Sequence, residues 1–235
     1  MNNKIRKLIY NSRFLGRILG YFLTFFQYQS LSFYKSNAIV NLIKTVKKEV
    51  DFAFYPNEAF VLYSIAQSQN RIPGDIAEVG SYQGGSSKII CEVKDKKNFH
   101  IFDTFEGLPH VTDSDTHFGT KFWNDNDFNQ TSEEQVKTYL SKYPNVFIHK
   151  GLFPNTAEPI KNNLFSFVHL DVDLYQSTLE SLKFFYPRLV PGGIILTHDF
   201  HSNGVNIAFK EFFDDKKIPF IELTGSQCMI IKLKE

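Results

Sequence analysis

The stretch Gly74-Asp75-Ile76-Ala77-Glu78-Val79-Gly80-Ser81-Tyr82-Gln83-Gly84-Gly85-Ser86-Ser87 limits the fold of this chain more than any other. Its first half reads as a short buried strand, and Gly80, Gly84 and Gly85 form a turn into a helix for which Ser86 and Ser87 are candidate caps. A strand that hands its end to a helix N-terminus makes a crevice lined by backbone N–H groups. Glu78 at the strand end is an unusual neighbour for a bare pyrophosphate. A carboxylate there suits a ligand with hydroxyls or a positive charge, which points to S-adenosylmethionine.

From Gly74 onward, strands and helices alternate, as in an α/β domain with a largely parallel sheet. The strands are expected at 76–79, 98–103, 146–150, 165–170, 194–197, 220–223 and 228–233, and the helices at 86–93, 132–142, 176–185 and 204–213. The last two strands flank Thr224-Gly225-Ser226 and should form an antiparallel hairpin. Seven strands, mostly parallel with that hairpin at the end, make the Rossmann-like sheet of class I methyltransferases. The expected organisation is a helical extension over residues 1–70 and a methyltransferase domain over 71–235.

At 235 residues there is room for one sizeable core. The net charge of +1 gives no case for nucleic acid as a partner. Cys91 falls in an expected helix and Cys228 in an expected strand, so two buried thiols in a reducing cytoplasm are expected rather than a disulfide. The N-terminal segment differs. Lys4, Arg6 and Lys7 precede a run rich in Phe, Leu and Tyr from Phe14 to Phe26, broken by Arg17. It lacks a cleavage site and is too short to span a bilayer. Two readings stand: a helix packed on the domain or on a second copy in a homo-oligomer, or an interfacial helix on a membrane surface. Helices with apolar faces are also expected at 38–50 and 57–69.

Asp103 ends the second strand about 20 residues beyond the turn, where an acid can accept hydrogen bonds from a ribose diol. Capping a turn is the other common use of such an Asp. The polar loop 112–130, with His117 and Trp123, is longer than most structureless loops, and a substrate-covering lid is expected. In Phe167-Val168-His169-Leu170-Asp171-Val172-Asp173 an apolar strand ends in two carboxylates, and the following strand ends in His198-Asp199. Ligands of open α/β sheets bind at the carboxyl ends of strands, so Asp171, Asp173, His198 and Asp199 should converge beside the crevice. Clustered carboxylates are costly unless a cation neutralises them, which favours a metal. Helix capping by Asp173 and a core hydrogen bond for His198 are the plainer alternatives.

These residues resemble the macrocin-type (TylF/MycF-like) sugar O-methyltransferases of the class I S-adenosylmethionine-dependent enzymes. The matching stretches are Pro73-Gly74-Asp75, Glu78-Val79-Gly80, Gly84-Gly85-Ser86 and Asp103-Thr104-Phe105-Glu106-Gly107-Leu108-Pro109, then Leu170 to Thr178, Tyr186 to Leu189 and Gly192-Gly193. The resemblance implies a magnesium ligand at Asp171 and a general base at Asp173. Two consecutive acids normally complete the metal site, and His198-Asp199 stand there instead. The expected metal set is Asp171, His198 and Asp199, for magnesium or another divalent ion, with His198 as an alternative base. The expected cofactor set is Glu78, Gly80, Ser81, Gly84, Ser86, Asp103, Gly151 and Asp171, and the expected acceptor is a hydroxyl on a sugar, glycosylated small molecule or polysaccharide. Two rivals remain. A nucleotide-dependent oxidoreductase shares the sheet, although the turn lacks the Gly-x-Gly-x-x-Gly spacing. A non-catalytic binding protein could also have kept this fold.

Overall fold

The computed structural model describes residues 12–117 and 119–234. The early basic residues Lys4, Arg6 and Lys7 lie outside the described residues. Three helices come first: α1 (Arg13–Tyr34), α2 (Asn37–Glu49) and α3 (Pro56–Ser68). The alternating part follows as β1 (Asp75–Val79), α4 (Gly85–Cys91), β2 (Phe99–Asp103), the small hairpin β3 (Thr116–His117) and β4 (Thr120–Lys121), α5 (Glu133–Leu140) and β5 (Val146–Lys150). It continues through β6 (Phe165–Leu170), α6 (Tyr175–Phe185), β7 (Leu189–Thr197), α7 (Asn203–Phe213), β8 (Ile221–Glu222) and β9 (Cys228–Ile231).

The main sheet has seven strands in the order β5-β2-β1-β6-β7-β9-β8, and only β9 runs against its neighbours. Alternation along the strands builds the two cores. Ile76, Phe99, Ile101, Phe167 and Leu196 pack against α2, α3, α4 and α5, while Ala77, Phe102, Val168 and Ile195 pack against α6 and α7. Val40, Ile43 and Val46 of α2 are fully enclosed in the first of these cores. The helices of the N-terminal extension therefore cover one face of the sheet directly.

β7 is longer than expected, starting at Leu189, and it carries Gly192 at φ +82° beside a register shift at Phe165. The hairpin strands are shorter than expected, and the other boundaries shift by one to two residues. Both cysteines are free and buried, and burial pushes each thiol up to about 12.

The carboxyl ends of the strands are tied together like steps. The amide of Gly151 donates to Asp103 O at 2.9 Å, Gly80 to Phe102 O at 2.8 Å, Asp171 to Val79 O at 2.9 Å, and His198 to Leu170 O at 2.8 Å. Five strand ends therefore open onto one crevice between the switch in strand order at β1 and β6.

Candidate active site

The crevice is a cavity whose wall includes Gly80, Ser81, Ser86, Asp103, Gly151, Asp171, Asp173, His198 and Asp199. All of these were expected from the sequence. Glu78 and Gly84 do not line it. Glu78 is fully buried one step back along β1, in register with His169 of β6, whose Nδ1 lies 2.8 Å from its carboxylate. Ser87 Oγ donates to the other carboxylate oxygen. Glu78 is held in an internal bond between β1, α4 and β6 and does not reach the cavity wall. Gly84 caps α4 with φ +82° and faces Val136 and Tyr139 of α5.

Gly80 makes the close approach possible. Its φ is +83°, and a Cβ there would run into the carbonyl oxygen of Asp171. The turn that follows is organised by Asp103. One carboxylate oxygen accepts from the Ser81 amide at 2.7 Å, the Tyr82 amide at 2.8 Å and Ser81 Oγ at 3.3 Å, and the other accepts from the Phe105 amide at 2.7 Å. The amides expected to cradle a ligand are thus already partnered. A carboxylate offers about four acceptor sites in all. The oxygen facing Phe105 therefore keeps room for one more donor.

The ends of β6 and β7 are arranged differently. Asp173 and Asp199 both hold the left-handed conformation, with φ +59° and +53°. Non-glycine residues there carry strain that usually marks functional sites. His198 Nδ1 lies 2.7 Å from Asp199 Oδ2 and 3.3 Å from Asp171 Oδ1, so the imidazole sits between the two carboxylates. Its ring stacks on Phe54 at 4.2 Å, and its Nε2 is 3.6 Å from Glu58 of α3. Burial pulls the His198 pKa down, but Asp199 and Asp171 outweigh it and hold the ring well above the usual imidazole value. The same imidazole overcomes burial to keep Asp199 below the usual carboxylate range. Asp173 has no cation of its own. Burial, then the charges of Asp199 and Asp171, raise it well above the ordinary carboxylate value.

The sequence reading missed one wall. Phe52 and Phe54, between α2 and α3, line the cavity and belong to the extension that seemed separate from the site. Glu58 was missed for the same reason. It is buried, accepts from the Tyr55 amide and from the Ser226 amide and hydroxyl at 2.8 Å each, and faces His198. The aromatic cluster Phe52-Ala53-Phe54-Tyr55 between two helices was the available signal.

The loop 112–130 contributes to the cavity wall. Asp115 anchors it: buried, it accepts from Thr112 and from the Tyr175 amide at the start of α6. Trp123 and Phe128 of this loop line the cavity, their rings 5.3 Å apart. Trp123 Nε1 is buried without a hydrogen-bond partner among the described residues. His117 lies behind them against Phe122 and His201, and burial, with the charge of His201, lowers it to about 4. It supports the loop rather than facing the cavity.

Residues 62–224 match the family model described as TylF, macrocin-O-methyltransferase. The chain belongs to this family. Among curated proteins it is similar to the 8-demethyl-8-(2,3-dimethoxy-alpha-L-rhamnosyl)-tetracenomycin-C 4'-O-methyltransferase of Streptomyces olivaceus, 30% identical over 60% of this chain and 58% of that one. It is 27% identical to the mycinamicin III 3''-O-methyltransferase of Micromonospora griseorubida over 61% of each chain. The match thus spans only about three fifths of these relatives. Among solved structures, the O-methyltransferase NovP superposes with a TM-score of 0.61 at 21% identity, over 75% of this chain and 79% of that one. The calicheamicin methyltransferase CalS11 gives 0.61 at 18% identity, over 84% and 94%. These likenesses establish the Rossmann-like methyltransferase fold.

Proposed function

We propose that the protein transfers a methyl group from S-adenosylmethionine to a hydroxyl of a sugar or glycosylated acceptor. The observation that carries this reading is the meeting, in one cavity, of the Gly80 turn and Asp103 on one side with Asp171, Asp173, His198 and Asp199 on the other. The named activities of the tetracenomycin and mycinamicin relatives support the acceptor class. S-adenosylmethionine, when bound, supplies a methyl on a positively charged sulfur. The acidic wall suits that charge, and the free acceptor site on Asp103 suits a ribose hydroxyl.

A hard divalent ion fits the remaining donors poorly. Asp171, His198 and Asp199 have ligand atoms within 4.8 Å of one another, but the imidazole already lies between the carboxylates. Imidazole is a poor ligand for magnesium, which takes oxygen donors. In this reading a protonated His198 between the two carboxylates offsets their charge in place of an ion. Asp173 takes the acceptor's proton: its raised pKa makes it a stronger base than a surface carboxylate once it is ionised. Trp123 and Phe128 close the acceptor side against water.

Calorimetry with S-adenosylhomocysteine and with NAD, followed by methyl transfer to a panel of glycosides, tests the reading. Binding of S-adenosylhomocysteine and turnover of a glycoside are expected. Binding of NAD alone would overturn it in favour of a nucleotide-dependent oxidoreductase.

A further inference from the structure

We propose that α1 docks the protein on an anionic lipid surface, with its aromatic face in the headgroup region. The helix packs inward along a single line. Gly20 meets Tyr55, Gln27 accepts from the Asn57 amide at 3.1 Å, and Leu31 is buried in the core. The other side is apolar and open: Phe14 is 72% exposed, Phe26 64% and Phe33 81%, with Phe22 and Phe25 between them. At 3.6 residues per turn this open face covers roughly half of the helix circumference. A contiguous aromatic patch of that kind marks an interaction surface.

Charge names the occupant. The first 48 residues contain nine Lys and Arg and no Asp or Glu, whereas the rest of the chain has seventeen against twenty-five. Arg17, Lys35, Lys44 and Lys48 are exposed on or next to this helix. A second copy would bring two such positive segments together, while anionic headgroups would neutralise them. Phenylalanine and tyrosine on one side with basic residues around them are the composition of an interfacial helix. Among the described residues no helix is long and apolar enough to cross a membrane, so α1 lies on the surface rather than through it. The inner face of α1 touches Tyr55 and Asn57, just after the cavity wall at Phe52 and Phe54.

Co-sedimentation of the full chain with phosphatidylcholine vesicles, with and without a quarter of phosphatidylglycerol, tests this. Binding to the anionic vesicles should be at least about tenfold stronger, and high salt should weaken it. The double variant Phe22→Glu/Phe26→Glu should lose binding while keeping its far-ultraviolet dichroism. S-adenosylhomocysteine affinity is measured alongside, so that failure of the docking and failure of the methyltransferase reading stay separate. Absence of binding to anionic vesicles would overturn the proposal. So would light scattering that shows a dimer split by the double variant, which would make this face a self-interface.

Discussion

At the ends of β1 and β2 one carboxylate meets four hydrogen-bond donors, whereas at the ends of β6 and β7 three carboxylates share one imidazole. Asp103 is satisfied almost entirely by backbone amides of the turn it shapes. That half is organised before any ligand arrives, and its acid acts mainly through geometry. Asp171, Asp173 and Asp199 crowd around one imidazole, whose charge holds Asp199 low while burial and its acidic neighbours raise Asp173. The lesson is that acids at equivalent strand ends serve different purposes. One half holds a shape, and the other half gathers like charges around a single imidazole.

The strongest way to break this contrast is to remove the carboxylate proposed to take the acceptor's proton. Asp173→Asn should lower kcat by about 10²–10⁴, the usual range for a general base, and leave S-adenosylhomocysteine affinity within a few-fold. A calorimetric titration beside a rate assay checks both. Asp103→Asn should do the reverse in kind. An amide in place of the carboxylate loses charge-assisted bonds to Ser81, Tyr82 and Phe105 and should cost about 2–4 kcal/mol of stability. It should also weaken S-adenosylhomocysteine binding, visible together with a lower Tm in thermal melts.

Glu58 sharpens the comparison through pH. Burial raises its pKa, but His198 and the amides of Tyr55 and Ser226 outweigh burial and leave it below the ordinary 4.5. A lowered folded pKa gives stability that is fully present above 4.5 and is lost as pH falls through the folded value. Glu58→Gln should therefore cost about 1–2 kcal/mol at neutral pH, and the gap from the wild type should close in acid. Melts recorded from pH 7 to pH 3 measure it. The smallest effect is expected for Trp123→Phe, which keeps an aromatic wall with a smaller ring. A rise of a few-fold in the acceptor KM with kcat little changed is expected.

Much of this site could be read from residue order. A strand running into Gly80, a second ending in Asp103, and two more ending in Asp171 and His198-Asp199 give the topology and the convergence, because strand ends in a parallel sheet face one side. Glu78 was legible as buried strand but not in its direction. Its partner His169 lies 91 residues away and is set by sheet register, which sequence spacing does not reveal. Phe52 and Phe54 reach the cavity, and Glu58 reaches His198, because α2 and α3 fold back over the sheet, a packing choice made by apolar faces that could have met other surfaces. The strain at Asp173 and Asp199 is likewise invisible before the backbone is traced.

The central claim is that His198 balances the acceptor half without an ion, and the rate of methyl transfer after exhaustive chelation tests it most directly. The account predicts that a wild-type protein treated with EDTA keeps its rate within about twofold, and that adding magnesium or manganese changes little. A rate abolished by chelation and restored by either ion would contradict it.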